Sequence, residues 1–396
     1  MINEKMRMLG AKRSAIRELF EYGLKRKREI GEEKVFDFSL GNPSVPAPVE
    51  LGEGMRGLLS EVDPILLFGY TSAQGDAGVR AALADYISRL HSFPCDKDEI
   101  YITVGAAAAL TCSLHAVVSP GEEVVLLSPY FPEYKVFVEG CGGVVREVAC
   151  DSESFHPDID ALSSAINERT AAVIINSPNN PTGAVYSAEE ISEIGALLEK
   201  KSSEAGKPIY LISDEPYREL AYDGVTVPFI PKYYRNTIVC YSFSKSLSIP
   251  GERIGYVFVP GTVSQSKQVY EAICGAGRTL GYVCAPSLMQ RALPLCLGLT
   301  ADVSIYDRNR RLLCERLTSL GFSVVKPEGA FYLFLKSPIP DAVAFCEAAK
   351  RHELLLVPSD SFGCGGYVRI SYCVKTEMIE RAMPAFSALA ADFGLV

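Results

Sequence analysis

Lys245 lies in Ser242-Phe243-Ser244-Lys245, at the end of the apolar run 237–241, and Arg253 follows in Pro250-Gly251-Glu252-Arg253-Ile254-Gly255-Tyr256. An amine flanked by hydroxyls, with a guanidinium close behind, has the make-up of a lysine beside a bound phosphate. Ser242, Ser244 and Arg253 could all donate to one phosphate, and the arginine fork can bind two of its oxygens at once. A lysine that forms a Schiff base must first lose its proton; nearby cations and a confined site lower its pKa and help it do so. Upstream, Asp214-Glu215-Pro216-Tyr217 ends the apolar run 209–213, and Asn179-Asn180-Pro181-Thr182-Gly183 ends another. A carboxylate pointed into a buried site needs a cationic partner. A protonated pyridine nitrogen would serve, and the pairing would keep that ring positive, an electron sink for a carbanion. Tyr217 brings a phenol to the same region, and the Asn180 amide can donate to a phenolate oxygen.

Four further segments carry candidate groups. Gly105-Ala106-Ala107-Ala108-Ala109-Leu110 follows the run 100–104 as a turn of small residues. Free backbone N–H groups at such a helix start bind phosphate, and close helix packing explains the same residues equally well. In Pro129-Tyr130-Phe131-Pro132-Glu133-Tyr134, an aromatic after a strand could stack on a planar ring; taken alone, a loop aromatic that fills the core is the simpler account. Arg369, inside the apolar run Tyr367-Val368-Arg369-Ile370-Ser371, requires an anion, either a substrate carboxylate or a structural partner. Arg278 sits in Gly277-Arg278-Thr279-Leu280-Gly281, which reads as a glycine-rich loop.

These groups need a scaffold that brings strand ends together. Apolar, β-branched runs at 100–104, 123–127, 143–148, 172–176, 209–213, 238–243 and 256–259 alternate with helical stretches such as 188–201. Buried runs separated by helices predict a largely parallel sheet covered on both faces, with ligands at the carboxyl ends of its strands. Beyond residue 300 the texture changes to a charged helix over 302–319, strand signals at 322–325, 330–335, 354–357 and 367–372, and a final helix from 375 toward 393. At the other end, Ile16, Leu19, Phe20 and Leu24 against Lys12, Arg13, Arg17 and the basic run 25–28 predict an amphipathic helix over 12–30. The basic run reads as a solvated face near the helix C-terminus, and the helix is expected to pack with the C-terminal part.

Composition narrows the class. With 396 residues, 48% hydrophobic and 22% charged, the chain matches an ordinary globular protein with a large and a smaller domain. A net charge of -9 argues against a general nucleic-acid binder. The start, Met1-Ile2-Asn3-Glu4-Lys5, shows no signal peptide. The most apolar stretch, 104–118, is broken by Thr111, Ser113 and His115 and falls short of the ~20 residues that span a bilayer. It predicts a buried helix and no membrane association. Twelve scattered cysteines predict reduced thiols in a cytoplasmic protein, and four histidines without ligand spacing predict no metal site.

With Asn-Asn-Pro-Thr-Gly, Asp-x-x-Tyr, Ser-x-Ser-Lys and Gly-x-Arg-x-Gly in this order, the chain resembles the class I/II aminotransferases, fold type I enzymes that use pyridoxal 5'-phosphate. The resemblance covers about 38–372. It implies an α/β fold: a large cofactor-binding domain, 46–290, with a mostly parallel sheet covered by helices, and a smaller α+β domain formed by both chain ends, 1–45 and 291–396. It implies that Lys245 bonds to the cofactor and then shuttles the proton of a 1,3-shift. Asp214 would pair with the pyridine nitrogen, and Asn180 and Tyr217 would hold its phenolic oxygen. Ser242, Ser244, Arg253 and the backbone around Gly105, Ala106 and Ala107 would grip the phosphate. Phe131 would stack on the ring, and Arg369 would clamp the substrate carboxylate. Gly41, in Leu40-Gly41-Asn42-Pro43, is similar to the family's substrate-loop glycine. Tyr70, in Gly69-Tyr70-Thr71, resembles the tyrosine that reaches the phosphate of the neighbouring subunit, which implies a homodimer with a shared site. The chain departs from the family in having only alanines at 106 and 107 and no tryptophan. Arg278 lies near the second arginine of dicarboxylate-specific members, which leaves aspartate or glutamate open as substrate. The resemblance implies transfer of an amino group from an α-amino acid to a 2-oxo acid. A carbon–sulfur β-lyase on the same scaffold would carry nearly the same residues. A non-catalytic regulator fits poorly, because too little chain precedes residue 38 for a DNA-binding domain.

Overall fold

A computed structural model describes residues 2–11 and 15–396. One sheet is built from β1 Ile100–Thr103, β2 Glu123–Ser128, β3 Val144–Ala149, β4 Thr170–Asn176, β5 Tyr210–Asp214, β6 Thr237–Ser242 and β7 Gly255–Phe258. Its order is β1-β7-β6-β5-β4-β2-β3. Neighbours run parallel except at β7, which is antiparallel to β1 and β6. Every residue of β2, β4 and β6 is buried, which is why these strands read as unbroken apolar runs instead of alternating ones.

Alternation is present, but both faces are covered. On β2, Val124 and Leu126 pack with Ala109, Leu110 and Leu114 of the helix Ala106–Val117. Val125 and Leu127 point the other way, into a cluster with Ile191, Ile194 and Leu198 of the helix Ala188–Ala205. The second helix begins at a capping box, in which Ser187 and Glu190 satisfy each other's backbone N–H groups, and stops at left-handed Gly206.

A second, antiparallel sheet has the order β10-β11-β9-β8, from β8 Val324–Val325, β9 Tyr332–Lys336, β10 Val357–Pro358 and β11 Tyr367–Ser371. The single strand expected over 354–357 is divided. Leu354–Leu355 pairs in parallel with Phe36–Asp37, whereas Val357–Pro358 pairs with β11. Residues 354–357 are all buried, so a continuous apolar run carries no sign of a change of partner. The N-terminal helix spans Ala15–Ile30; Lys12 and Arg13 lie outside the described residues. Its Leu19 packs with Leu355, Val357 and Phe362. The basic run is partly paired, since Arg26 reaches Glu353 at 2.6 Å and Lys27 reaches Asp37 at 3.4 Å.

Two expectations change in ways that bear on the site. The run 238–243 stops one residue early as a strand. Ser242 caps the short helix Phe243–Ser246 by accepting from the Ser244 N–H at 3.2 Å. Arg278 is not in a loop but in the last turn of the helix Ser266–Thr279, exposed. The adjacent Gly277 serves close packing and not a turn, because a Cβ there would overlap the Tyr101 hydroxyl. Among the described residues no helix is long and apolar enough to cross a membrane.

Candidate active site

At the carboxyl ends of β4, β5 and β6 the structure places Asn176, Asp214 and Ser242 beside one another, around a cavity of about 300 Å³. Its walls include Gly41, Ala106, Ala107, Phe131, Asn180, Asp214, Tyr217, Ser242, Ser244, Lys245, Arg253 and Arg369. Segments more than 300 residues apart in sequence thus converge. Gly105 stands just behind, against Arg253. Tyr70 does not line this cavity and is 91% exposed.

Lys245 is the third residue of the short helix Phe243–Ser246, and its Nζ donates to the Gly41 carbonyl at 2.6 Å. Burial is the chief cause that lowers its pKa, to about 8, with Arg253 and Arg369 adding repulsion. An amine with that pKa is partly deprotonated near neutrality, as a nucleophile requires. In the cofactor-free protein, labelling of Lys245 by a neutral amine reagent should rise with pH through a midpoint of about 8. Peptide mass spectrometry reads it, and a midpoint at the ordinary lysine value would show that the amine is not confined.

Asp214 is fully enclosed. Its Oδ2 accepts from the Tyr134 hydroxyl at 2.5 Å, while Oδ1 is buried without a partner among the described residues. Burial pushes its pKa up to about 7, against the opposing hydrogen bond from Tyr134. Around the other end, Ser242 Oγ and Ser244 Oγ lie 2.7 Å apart, and Arg253 Nη1 is 3.4 Å from Ser244 Oγ. Ala106 and Ala107 begin a helix there, so their N–H groups have no intrahelical acceptor and face the cavity with the helix's positive end. Gly105 has φ 87° and ψ 178°, and a Cβ on it would meet Arg253 Nη2 at 2.6 Å. We expect Gly105→Ala to cost about 1–3 kcal/mol in backbone strain and to displace Arg253. A weaker dissociation constant for pyridoxal 5'-phosphate and a lower melting temperature would register it.

Arg369 is 2% exposed. Nη1 donates to Asn180 Oδ1 at 3.1 Å and Nη2 to the Ser39 carbonyl at 2.5 Å, but Nε is buried without an acceptor among the described residues. Among the described residues no carboxylate is set against its charge; the guanidinium lies over the Tyr332 and Phe362 rings at 4.5 and 5.2 Å. A buried cation so placed calls for an anion from outside the chain.

Three residues escaped the sequence reading. Tyr332 lines the cavity and sets its hydroxyl 3.0 Å from that of Tyr217. In sequence it is one more aromatic in a buried strand. Tyr134 was inside a segment already singled out; its N–H bonds to the Phe131 carbonyl at 3.0 Å across the turn that leads into the helix Glu133–Gly140, and the two rings meet edge-on at 5.7 Å. Asn176, at the end of β4, donates to the Asp214 carbonyl at 2.9 Å and accepts from the Asn180 N–H at 2.8 Å. An asparagine closing an apolar run was the available signal.

These observations fit pyridoxal 5'-phosphate. The orphaned Asp214 oxygen suits a pyridinium N–H. The two serines, Arg253 and the helix start suit a phosphate, and the amine lies between. The family model for aminotransferase class I and II matches residues 35–386. The chain is 33% identical over 357 residues to an aspartate/prephenate aminotransferase of Thermus thermophilus, covering 88% of this chain and 89% of that one. It is 30% identical to aromatic-amino-acid aminotransferase 2 of Thermococcus litoralis, with 97% of each covered. Among solved structures, an amino transferase from Eubacterium rectale superposes with a TM-score of 0.97 at 53% identity, over 100% of this chain and 99% of that one. Aspartate aminotransferase from Thermus thermophilus with maleate gives 0.86 at 30% identity, over 97% and 98%. This chain belongs to the class I and II aminotransferases, enzymes of fold type I that depend on pyridoxal phosphate.

Proposed function

We propose that this enzyme moves an amino group from an α-amino acid to a 2-oxo acid, with Lys245 as the covalent anchor of the cofactor and as its proton carrier. One observation carries the proposal: the buried Lys245 amine opens onto the same cavity as the partnerless oxygen of Asp214 and the uncompensated charge of Arg369. When bound, the cofactor supplies a positive ring that delocalises the electron pair left at the amino acid's Cα. Asp214 would hold the ring nitrogen in its charged form, which is why a carboxylate belongs there. Tyr217 and Asn180 would hold the phenolic oxygen, and Phe131 would cover one face. Ser242, Ser244, Arg253 and the backbone at 105–107 would fix the phosphate. Arg369 would bind the substrate carboxylate and so orient Cα. Lys245, once its amine is free, would take the Cα proton and return it two bonds along, as a 1,3-shift requires.

Relatives named for aspartate and for aromatic amino acids put aspartate and glutamate first among the donors to test, followed by the aromatic amino acids. The enzyme works as a homodimer in which Tyr70 reaches the neighbouring subunit's phosphate. In support, Tyr70 stands beside the exposed Ile65, Leu66 and Phe68, an apolar patch of the kind that marks a protein interface. The chain divides into a large domain, 46–290, and a small one formed by 1–45 and 291–396.

The test is an absorbance spectrum of the holoenzyme with single amino acids and no acceptor. Loss of the visible band, and its return on adding a 2-oxo acid, supports transamination and ranks donors. A persistent band while pyruvate and ammonia accumulate would assign a β-lyase instead.

A further inference from the structure

Carbonyls alternate along the segment 39–42 between two sets of partners, as groups do on an extended chain. Ser39 accepts from Arg369 Nη2 at 2.5 Å and Gly41 from Lys245 Nζ at 2.6 Å. The intervening carbonyls belong to neither. Cys373 Sγ lies 3.7 Å from the Leu40 oxygen and 3.3 Å from the Asn42 oxygen. Gly41 lines the active-site cavity, whereas Leu40, Asn42 and Cys373 line a separate groove behind it. The thiol is 1% exposed, and Ser371 Oγ stands 3.1 Å from its sulfur. The segment is tightly confined on its inner side as well, since a Cβ on Gly41 would overlap the Tyr332 hydroxyl.

We propose that Cys373 is a positioning residue for the aminotransferase site: its single S–H, directed mainly at the nearer Asn42 carbonyl and shared with that of Leu40, holds the segment from the groove side, and thereby sets the Gly41 carbonyl against the Lys245 amine and the Ser39 carbonyl against Arg369. This rests on the roles proposed above for Lys245 and Arg369. Cys373 acts as a neutral donor, because burial pushes its pKa up to about 11. The charged and titratable groups facing Lys245 are Arg253, Arg369 and Cys373, with Asp214, Tyr217 and Tyr332 across the cavity. A carbonyl that accepts from the amine favours its protonated form. Releasing the segment therefore lowers the pKa of Lys245 and loosens the carboxylate clamp together.

Cys373→Ala, Cys373→Val and Cys373→Ser test this. Valine fills the space without a donor; serine keeps a donor. Two readouts apply: the pH midpoint of Lys245 labelling in the cofactor-free full chain, and KM against kcat in the holoenzyme. Alanine and valine should lower the midpoint by about half a pH unit. They should raise KM for the amino acid roughly fivefold, the worth of one typical hydrogen bond, with less change in kcat. Serine should restore both toward the parent values. A valine variant with the parent midpoint and KM would reduce Cys373 to packing and overturn the proposal. So would serine losses equal to those of alanine. A parent midpoint at the ordinary lysine value would overturn the role of Lys245 itself, and the proposal with it.

Discussion

Lys245→Ala abolishes turnover, by at least about 10⁴-fold, while the chain still folds. Proton transfer by a positioned side chain contributes about 10²–10⁴-fold, and losing the proposed covalent anchor of the cofactor would add to that. The fold should survive because, among the described residues, the Lys245 side chain makes one hydrogen bond, to Gly41, and its burial already works against its charge. Removing a buried cation whose pKa is depressed relieves a desolvation cost and takes no apolar side chain out of the core. The check pairs a turnover assay with a melting curve: an intact transition with no turnover is the expected result, and parent-like turnover would end the proposed mechanism.

Arg369→Ala is expected to act on substrate binding. Its guanidinium is enclosed beneath Tyr332 and Phe362, and two of its nitrogens are engaged by Asn180 and Ser39. A substrate carboxylate would complete a desolvated, charge-assisted pair, and truncating one side of such a pair costs about 2–5 kcal/mol. That corresponds to a rise in KM of roughly 30-fold or more, with kcat altered less because Lys245 and Asp214 remain in place. Arg369→Lys should recover only part of the loss, since a point charge cannot reproduce the fork. Steady-state kinetics over a wide amino-acid range decide it; unchanged saturation would remove Arg369 from the substrate site.

The contrast between Asp214 and Tyr332 shows how far the sequence could be read. Asp214, Asn180 and Ser242 stand in or just beyond strand ends, and strand ends are visible as the close of an apolar, β-branched run. A polar group placed there has few structural reasons to exist, so it reads as chemistry. Tyr332 lies inside the buried strand β9, among residues such as Phe331, Leu333 and Phe334. Nothing local separates an aromatic that fills a core from one whose hydroxyl meets Tyr217. Arg278 shows the opposite error: two glycines suggested a loop, but Gly277 is needed for its approach to Tyr101 inside a helix.

By itself the sequence determined the α/β class, the strands of the large sheet to within a residue or two, and the candidate groups proposed to hold a phosphate, a charged ring and a carboxylate. Those properties are local: burial on both faces imposes an apolar run, and a motif keeps its residues within a few positions. Only the tertiary structure decided which groups meet. Lys245 meets Gly41 across 204 positions, Arg369 meets Asn180 across 189, and Ser39 meets Arg369 across 330. Such contacts depend on how the second sheet and the segment 39–42 pack against the carboxyl ends of β4, β5 and β6. Packing is a property of the whole assembled surface, and no short stretch of chain encodes it.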